Sequence, residues 1–360
     1  MKLFDRYVVR QFVVTFVFAL GALTTIFIII DLFERLDKFI DNKTPLEVAV
    51  RYYFYFLPQV FELLVPVGLM LAGLFSVGRL SNNNEITAMR SAGQSPVRML
   101  MPILTVAALM SLGQIYFNGW IVPRAATARF DIEREFLSGD DVRGSLNDLY
   151  FRESPSLNIS IHRYDGPRRT ALGVTIEEFG SAYSPRQRWR IDADTMQWDS
   201  VSSTWIIRSS KKRTFFADHV EIENIDGMQA PFTIRHDQIM RLRLNPEELS
   251  FTEMQDFINT MKKGGKDTRR QAIDLSGQWA FPFVNFIVVL ISVPFASVRR
   301  RGGMAINIAA AMVLAITYIA FTKISQSFGV TLDLPVDVVG WGANGVFFLV
   351  GLFVLLRSRS

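Results

Sequence analysis

Residues 78–93 read Gly-Arg-Leu-Ser-Asn-Asn-Asn-Glu-Ile-Thr-Ala-Met-Arg-Ser-Ala-Gly and separate two long apolar runs. Asn83 or Asn84 can accept hydrogen bonds from the first free backbone N–H groups of a helix, and Glu85 complements the positive end of its dipole. Gly93 can adopt the left-handed conformation that ends a helix. The stretch therefore predicts a helix of two turns, at 84–93, between two membrane crossings.

One face of this short helix indicates a contact with another protein. Ile86 and Met89 are three residues apart and share a face, with Glu85 and Arg90 beside them. An apolar pair with flanking charges suits insertion into a groove on a soluble partner. We therefore expect the helix to pass force from such a partner to the membrane.

The composition indicates a membrane protein. The chain has 360 residues, of which 49% are hydrophobic, and its mean hydropathy is positive. A bilayer core of about 30 Å needs about 20 helical residues at 1.5 Å each. The first apolar run continues past the small residues at 19–21, so we interpret it as a span and not as a cleaved signal peptide. Six runs are long enough to cross: 9–30, 56–77, 100–122, 279–298, 305–324 and 336–356.

Basic residues next to the spans predict the orientation. One side carries most of the cations, opposed by only two acidic residues, Asp5 and Glu85, and this side is expected to be cytoplasmic. The net charge of +5 comes largely from these residues, so binding to nucleic acid is not implied. The cations on this side are Lys2, Arg6, Arg10, Arg79, Arg90, Arg98, Arg299, Arg300, Arg301, Arg357 and Arg359.

The polar insertion at 123–268 is long enough to have its own core. Apolar and polar residues alternate along 157–162 and 172–177, which is typical of half-buried strands. Many short strands with regular turns favour a sandwich or a jelly roll. Helical stretches at 124–137 and 247–263 are expected to flank them. The predicted fold is thus three spans (1–122), an all-β, jelly-roll-like domain (123–268) and three more spans (269–360).

No motif in the chain predicts a catalytic or metal site. The sequence has no cysteine, and His162, His219 and His236 lack the spacing of metal ligands. Gly264-Gly265-Lys266 is followed by Asp267 rather than by serine or threonine, so it does not form a phosphate-binding loop. We expect no cofactor and no enzymatic activity.

Several spaced motifs resemble the YjgP/YjgQ family, the LptF and LptG permeases of the bacterial lipopolysaccharide exporter. They begin with Leu-Phe-Asp-Arg-Tyr at 3–7 and include Leu-Pro at 57–58 and Leu-Val-Pro at 64–66. The richest segment is 78–93, with Asn-Glu-Ile at 84–86 and Ala-Met-Arg at 88–90. The similarity extends over nearly the whole chain, and Asp5-Arg6-Tyr7 together with the short basic C-terminus favours an LptG-like member.

This resemblance implies a set of partners. Two related permeases, LptF-like and LptG-like, pair with a cytoplasmic ATPase dimer (LptB-like), which supplies the ATP hydrolysis. They lift lipopolysaccharide from the bacterial inner membrane onto periplasmic β-jelly-roll domains, including LptC-like and LptA-like proteins. In this reading the helix at 84–93 is the coupling helix that docks on the ATPase. Its expected coupling residues are Asn84, Glu85, Ile86, Met89, Arg90 and Gly93.

The expected lipid contacts fall into two groups. Arg35 and Lys38, beyond the first span, are possible phosphate contacts, although a solvated loop of mixed charge is an open alternative. Glu62 is a candidate because it is an ionisable residue within a span, unless it simply reaches the interface. In the β domain, an open jelly roll could bind acyl chains on its apolar face, whereas a closed core would make it a docking platform. The candidates on that face are Ile159, Ile161, Val174 and Ile176.

Two departures from the family pattern limit this assignment. Asp31 lies near the outer end of the first span, where LptG-like members often have lysine, and Gln278 lies where the family usually has a basic residue. Two other classes also remain open at this point. A secondary transporter would need inverted repeats, which the two halves do not show. A scaffold that only presents a β domain would leave the capped cytoplasmic helix without a purpose.

Overall fold

The structure is a computed structural model that describes residues 3–93, 95–137, 145–154, 156–180, 186–236, 239, 245–263, 267–297 and 303–357. The chain divides into two compact units. The helical unit comprises Met1–Arg129 and Arg269–Ser360, and the β unit comprises Phe130–Thr268.

The helical unit is built from helices of very different length. They are α1 (Leu3–Asp41), α2 (Leu46–Asn82), α3 (Glu85–Ser91), α4 (Pro96–Tyr116), α5 (Val122–Ile132), α7 (Arg269–Ala280), α8 (Val284–Ser297), α9 (Gly303–Thr331) and α10 (Val336–Arg357); α5 ends in the β unit, which also contains α6 (Phe251–Lys263). A π-helical turn, Phe117–Ile121, joins α4 to α5, and a 3₁₀ turn, Phe281–Phe283, joins α7 to α8.

Five stretches of helix are long and apolar enough to cross a membrane. They are Leu3–Asp41, Leu46–Asn82, Leu100–Leu137, Arg269–Ala296 and Val336–Leu356. The sixth predicted span, at 305–324, falls within α9, in which several side chains lie outside the described residues, and it is not among these five. The membrane-helical fold with an inserted β domain is confirmed, whereas the sixth span stays a prediction.

The core of the helical unit lies between α1, α2, α4 and α8. Fully buried side chains from each helix meet there, among them Phe12, Leu69, Ile103 and Val289. Close approach of α2 and α8 requires glycine, because a Cβ built on Gly73 would lie 2.7 Å from Ser292 Oγ. Small residues of this kind are typical of helix contacts within membranes.

A buried polar relay also connects three of the spans. Pro66 has no N–H, so the carbonyl of Glu62, four residues earlier in α2, lacks its usual helical donor. Gln114 Nε2 donates to that carbonyl at 3.1 Å, and Asn285 Nδ2 donates to Gln114 Oε1. The relay satisfies a backbone group freed by proline and joins α2, α4 and α8 within the span region.

The β unit contains one antiparallel sheet. Its strands are β1 (Ser145–Ser154), β2 (Leu157–Asp165), β3 (Thr170–Phe179), β4 (Gln187–Asp199), β5 (Thr204–Phe215), β6 (Val220–Ile225) and β7 (Met228–Gln229). Strands β1 to β6 pair in chain order, and β7 pairs with β5. The described strands β1 to β6 thus follow one another as antiparallel hairpins; the β domain is confirmed, and its jelly-roll-like form stays a prediction.

One face of this sheet carries the core. The predicted alternation is confirmed for Leu157, Ile159 and Ile161 of β2 and for Val174 and Ile176 of β3, with Ile161 directly opposite Val174 and Ile159 directly opposite Ile176. It was wrong at the start of β3, where Leu172 is exposed and Ala171 is buried, just before Gly173 with its φ of +63°. Further buried side chains on the same face include Ile191 and Ile207. The opposite face is polar, as shown by the ion pairs that Asp192 makes with Arg190 and Arg213.

A buried ion pair ties the two flanking helical segments of the β unit together. Arg134, in the π-helical turn Glu133–Leu137, donates from both terminal nitrogens to the carboxylate of Glu248. Glu248 is only 3% exposed and also accepts a hydrogen bond from the backbone N–H of Asn245 at 2.8 Å. The pair holds the 3₁₀ turn Pro246–Glu248, which comes just before α6, against the π-helical turn that follows α5.

Candidate functional site

The predicted coupling helix is present as α3, a helix of seven residues from Glu85 to Ser91. Asn84 and Gly93 lie on either side of it with φ values of +59° and +79°. These left-handed conformations suit asparagine and glycine and turn the chain sharply at both ends. The helix is therefore confined to the connection between α2 and α4.

Which face of α3 points outward differs from the prediction. Ile86 is 6% exposed and belongs to the core of the helical unit, and Met89 packs against the same core. Thr87 and Ala88 are the exposed side chains of the middle turn. The expectation that Ile86 and Met89 present an apolar face to a partner was wrong, because burial against the chain's own spans removes that face from water first. The side chain of Arg90 lies outside the described residues.

Glu85 lies where the ends of several helices converge. Its carboxylate accepts hydrogen bonds from Asn83 Nδ2 at 3.1 Å and from Tyr7 Oη of α1 at 3.4 Å. A second contact involves the same end of α1: the guanidinium of Arg98, in the first turn of α4, forms an ion pair with the carboxylate of Asp5 at 3.3 Å. The hydrogen bond from Tyr7 connects α3 to α1, and the Arg98–Asp5 pair connects α1 to α4. These contacts therefore link α3 to α4 through the beginning of α1.

The candidate phosphate contacts are in two different situations. Arg35 Nε donates to Asp31 Oδ1 at 3.1 Å, and Tyr53 Oη donates to the other oxygen of Asp31 at 3.2 Å. Arg35 is thus held against a carboxylate of its own chain, at the position where the resemblance raised doubt about a phosphate clamp. Lys38, in the last turn of α1, is exposed.

Glu62 is half-buried in α2, between Pro58 and Pro66. Its backbone carbonyl accepts the hydrogen bond from Gln114 Nε2, so the residue takes part in the polar relay between the spans through its backbone. No sequence pattern connects Glu62 with Gln114, since the two are 52 residues apart.

The four β-domain candidates are brought together, but they are covered. Ile159, Ile161, Val174 and Ile176 are each at most 2% exposed and form the centre of one apolar cluster. Phe232, Ile234 and Ile239, from the segment after β7, belong to the same cluster. The predicted binding face is therefore a closed core in this structure, closed in part by a segment that the sequence patterns did not single out.

Trp205 is the largest fully buried side chain of this core and was not predicted as a site residue. Its indole Nε1 donates to the carbonyl of Ile234 at 2.7 Å, and its ring packs edge-to-face on Trp198. Nearby, burial raises the pKa of Tyr164, whose hydroxyl is hydrogen-bonded to Nδ1 of His236. Across the described ranges, no three histidine, aspartate or glutamate side chains are grouped so as to hold a metal ion.

Comparison with known proteins covers both units. Residues 6–357 match the family model described as lipopolysaccharide export system permease LptF/LptG. The chain is 18% identical to LptG of Escherichia coli K12 over 360 residues, covering 98% of each chain. It is similarly related to LptG of Haemophilus influenzae, at 18% identity with 99% of this chain and 98% of the relative covered.

The chain is also 20% identical to LptF of Escherichia coli K12, with 98% of this chain and 94% of the relative covered. Because the identities to LptG and LptF are nearly equal, they do not separate the two subunits, and the LptG-like assignment stays a prediction. The match of the family model is continuous from the first span through the β unit to the last span. This chain belongs to the LptF/LptG family of lipopolysaccharide export system permeases.

Proposed function

We propose that the chain is the permease subunit of an ATP-driven lipopolysaccharide exporter in the bacterial inner membrane, with its β unit in the periplasm. The observation that carries the proposal is the family match over residues 6–357, which includes the spans, α3 and the whole β unit. The excess of basic residues beside the spans on the α3 side supports this orientation. Lipopolysaccharide would leave the membrane through the spans and continue along the β unit.

The permease itself is proposed to be non-catalytic, with ATP hydrolysis supplied by a separate cytoplasmic ATPase dimer. The second permease of the complex would be a related LptF-like or LptG-like chain, and LptC-like and LptA-like proteins would continue the periplasmic path. A secondary transporter is disfavoured, because the described spans offer few ionisable groups for an ion-driven cycle.

The geometry of α3 supports the proposal that it docks on the ATPase. Ile86 anchors the helix in the bundle core, so the outward turn with Thr87 and Ala88 and the half-exposed Glu85 remain for the partner. Because the anchor and the contact surface lie on opposite faces of one short helix, a push on the outer face reaches α2 and α4 directly. The proposal for α3 therefore differs from the sequence-based expectation. The exposed turn with Thr87 and Ala88 contacts the ATPase, and the buried side chains of Ile86 and Met89 transmit the movement of α3 to the spans.

Glu85→Lys is expected to weaken binding of the ATPase. The substitution reverses a charge at the proposed interface and removes the acceptor for Tyr7 and Asn83. A loss of about 1–3 kcal/mol corresponds to roughly 5-fold to 150-fold in affinity. The measurement is co-purification of the ATPase with the permease pair, together with lipopolysaccharide-stimulated ATP hydrolysis.

Glu47→Lys serves as the control, since it reverses an exposed charge in the first turn of α2, at the end of α2 that is remote from α3. We expect wild-type assembly for this variant. Wild-type assembly and hydrolysis for Glu85→Lys as well would show that Glu85 only stabilises the local helix, and the docking surface would have to be sought elsewhere.

A further inference from the structure

One segment closes the apolar face of the β unit without being a strand of its sheet. Residues 230–236, here called the strap, follow β7 directly. Phe232 and Ile234 are buried in the core, while Pro231, Thr233 and Arg235 between and beside them are exposed. This alternation is typical of an extended segment with one face against the core, yet the strap has no strand partner among the described residues.

The strap is held largely by side chains from three strands, β1, β2 and β5; on the β2 side, the hydroxyl of Tyr164 is hydrogen-bonded to Nδ1 of His236. On the β5 side, Trp205 Nε1 donates to the carbonyl of Ile234, and the N–H of Ala230 donates to the carbonyl of Trp205. On the β1 side, Glu153 accepts hydrogen bonds from the N–H of Thr233 at 3.0 Å and from its hydroxyl. The strap therefore crosses from one side of the sheet to the other over the apolar face.

The strap is attached by separate hydrogen bonds, whereas the strands of the sheet beneath it are attached by continuous ladders of backbone hydrogen bonds. Strands β2 to β5 are paired along most of their length, so their removal would break long ladders of backbone hydrogen bonds. Removal of the strap would break no comparable ladder; the hydrogen bonds that it would break include two from Thr233 to Glu153, those that join Ala230 and Ile234 to Trp205, and that of His236 with Tyr164. It would uncover the face formed by Ile159, Ile161, Val174 and Ile176. Segments held by few backbone hydrogen bonds are the ones that open at low free energy.

The chemistry that the strap presents to the core identifies what could replace it. The side chains of Phe232 and Ile234 offer hydrocarbon to the core. The polar contacts of the strap are the exposed one with Glu153, the part-buried one of His236 with Tyr164, and the buried one from Trp205 to the carbonyl of Ile234. A fatty acyl chain is a flexible hydrocarbon that could lie along the same uncovered face. Exchange of the strap for such a chain would keep the apolar face out of water throughout.

We propose that residues 230–236 are a displaceable strap, which occupies the acyl-chain site of the β unit at rest and is exchanged for the acyl chains of the transported lipid. The inference rests on the proposed function and deepens it. It explains why the four candidate residues are closed off in the structure and still have the chemistry of a lipid-binding surface. It also assigns Glu153 and Thr233 a role as the latch of the strap.

A crosslinked strap tests the exchange in the full permease–ATPase complex. Because the chain has no cysteine, Glu153→Cys with Thr233→Cys can be joined selectively by a short bis-maleimide. The matched control joins Lys211→Cys to Asn224→Cys, which are exposed and directly opposite on β5 and β6. Lipopolysaccharide is supplied in proteoliposomes, and its capture is measured with a diazirine amino acid at Val174.

Crosslinking at the strap is expected to lower ATP-dependent capture by roughly 10-fold or more, while the control crosslink leaves it unchanged. Undiminished capture with the strap locked would overturn the proposal, and so would an equal loss in the control. If the uncrosslinked protein captures no lipopolysaccharide at any position of the spans or of the β unit, the proposed function itself fails. The two failures are therefore distinguishable.

A second measurement does not depend on crosslinking. The cysteine introduced by Phe232→Cys is expected to be protected from a water-soluble maleimide at rest and to be modified during ATP turnover with lipopolysaccharide. The control is Ala193→Cys, which lies on the apolar face itself, opposite Val174, and should stay protected under both conditions because first the strap and then the acyl chains cover that face. Protection of the cysteine in the strap throughout turnover would show a permanent closure and overturn the proposal.

Discussion

Glu248→Ala is expected to lower the free energy of unfolding of the β unit by about 3–5 kcal/mol, the range for removing one partner of a buried ion pair. The side chain of Glu248 is completely buried, and that of Arg134 is 16% exposed. Without Glu248, the guanidinium of Arg134 would keep its ion pair with the more exposed Asp131 and its contact with the ring of Phe130, neither of which replaces a buried carboxylate. The backbone N–H of Asn245 would lose its acceptor as well.

Hydrogen exchange of the full-length protein, followed in peptides from β1 and α6, measures this loss locally. Asp218→Ala is the control within the same unit, because the Asp218–His219 pair is exposed on both sides and is expected to contribute little. A loss below about 1 kcal/mol for Glu248→Ala, close to that of the control, would mean that the Arg134–Glu248 pair is solvated in solution.

Gly340→Ala is expected to destabilise the helical unit by about 1–3 kcal/mol, the usual range for overpacking. A Cβ at this position of α10 would lie 2.7 Å from Ser276 Cβ and 2.9 Å from the backbone carbonyl carbon of Ser276 in α7. The backbone of α7 cannot move aside as a flexible side chain would. The two helices must separate, which also strains the hydrogen bond from Asn344 Nδ2 to the carbonyl of Ala280.

The matched control is Gly345→Ala in the same helix, because a Cβ there meets nothing within 4 Å. We expect it to be neutral or slightly stabilising, since alanine favours a helix over glycine. The measurement is thermal unfolding of the purified protein in detergent. Equal transition temperatures for the two variants would contradict the close packing of α7 on α10.

Apolar runs predicted the positions of the spans but not the lengths of the helices. The first run ends at Ile30, whereas α1 continues to Asp41 before the turn that precedes Pro45. Hydropathy reports the part of a helix that can lie in lipid, while the helix itself propagates until the backbone meets a stop signal. The same limit applies to α2, which continues past the apolar run to Asn82.

In the β unit, alternation predicted which residues of β2 and β3 point inward, except Leu172, because the side-chain period of a strand is local and is interrupted at Gly173. It could not predict the order of the strands, since pairing joins residues that are distant along the chain. The jelly-roll connectivity was therefore an inference from strand number alone. The strap was also missed, because Phe232 and Ile234 alternate over too short a segment to be distinguished from a loop.

For α3, the sequence predicted the helix and its ends but not its orientation. Ile86 and Met89 mark an apolar face, and that face could bind either a partner or the chain's own bundle. The structure shows the second arrangement. Similarly, Arg35 was a candidate for a lipid phosphate from its charge alone, and only the structure shows its contact with Asp31.

Transfer of lipopolysaccharide from the spans to the apolar face of the β unit is the step on which the proposed function depends. Photo-crosslinking in the reconstituted complex follows this step, with a diazirine amino acid at Ile161, on the apolar face of β2, or at Ser160, the neighbouring residue that points to the opposite face. We predict ATP-dependent capture of lipopolysaccharide at Ile161 and little at Ser160. Capture at neither position while ATP hydrolysis continues, or equal capture at both, would contradict the proposed transfer.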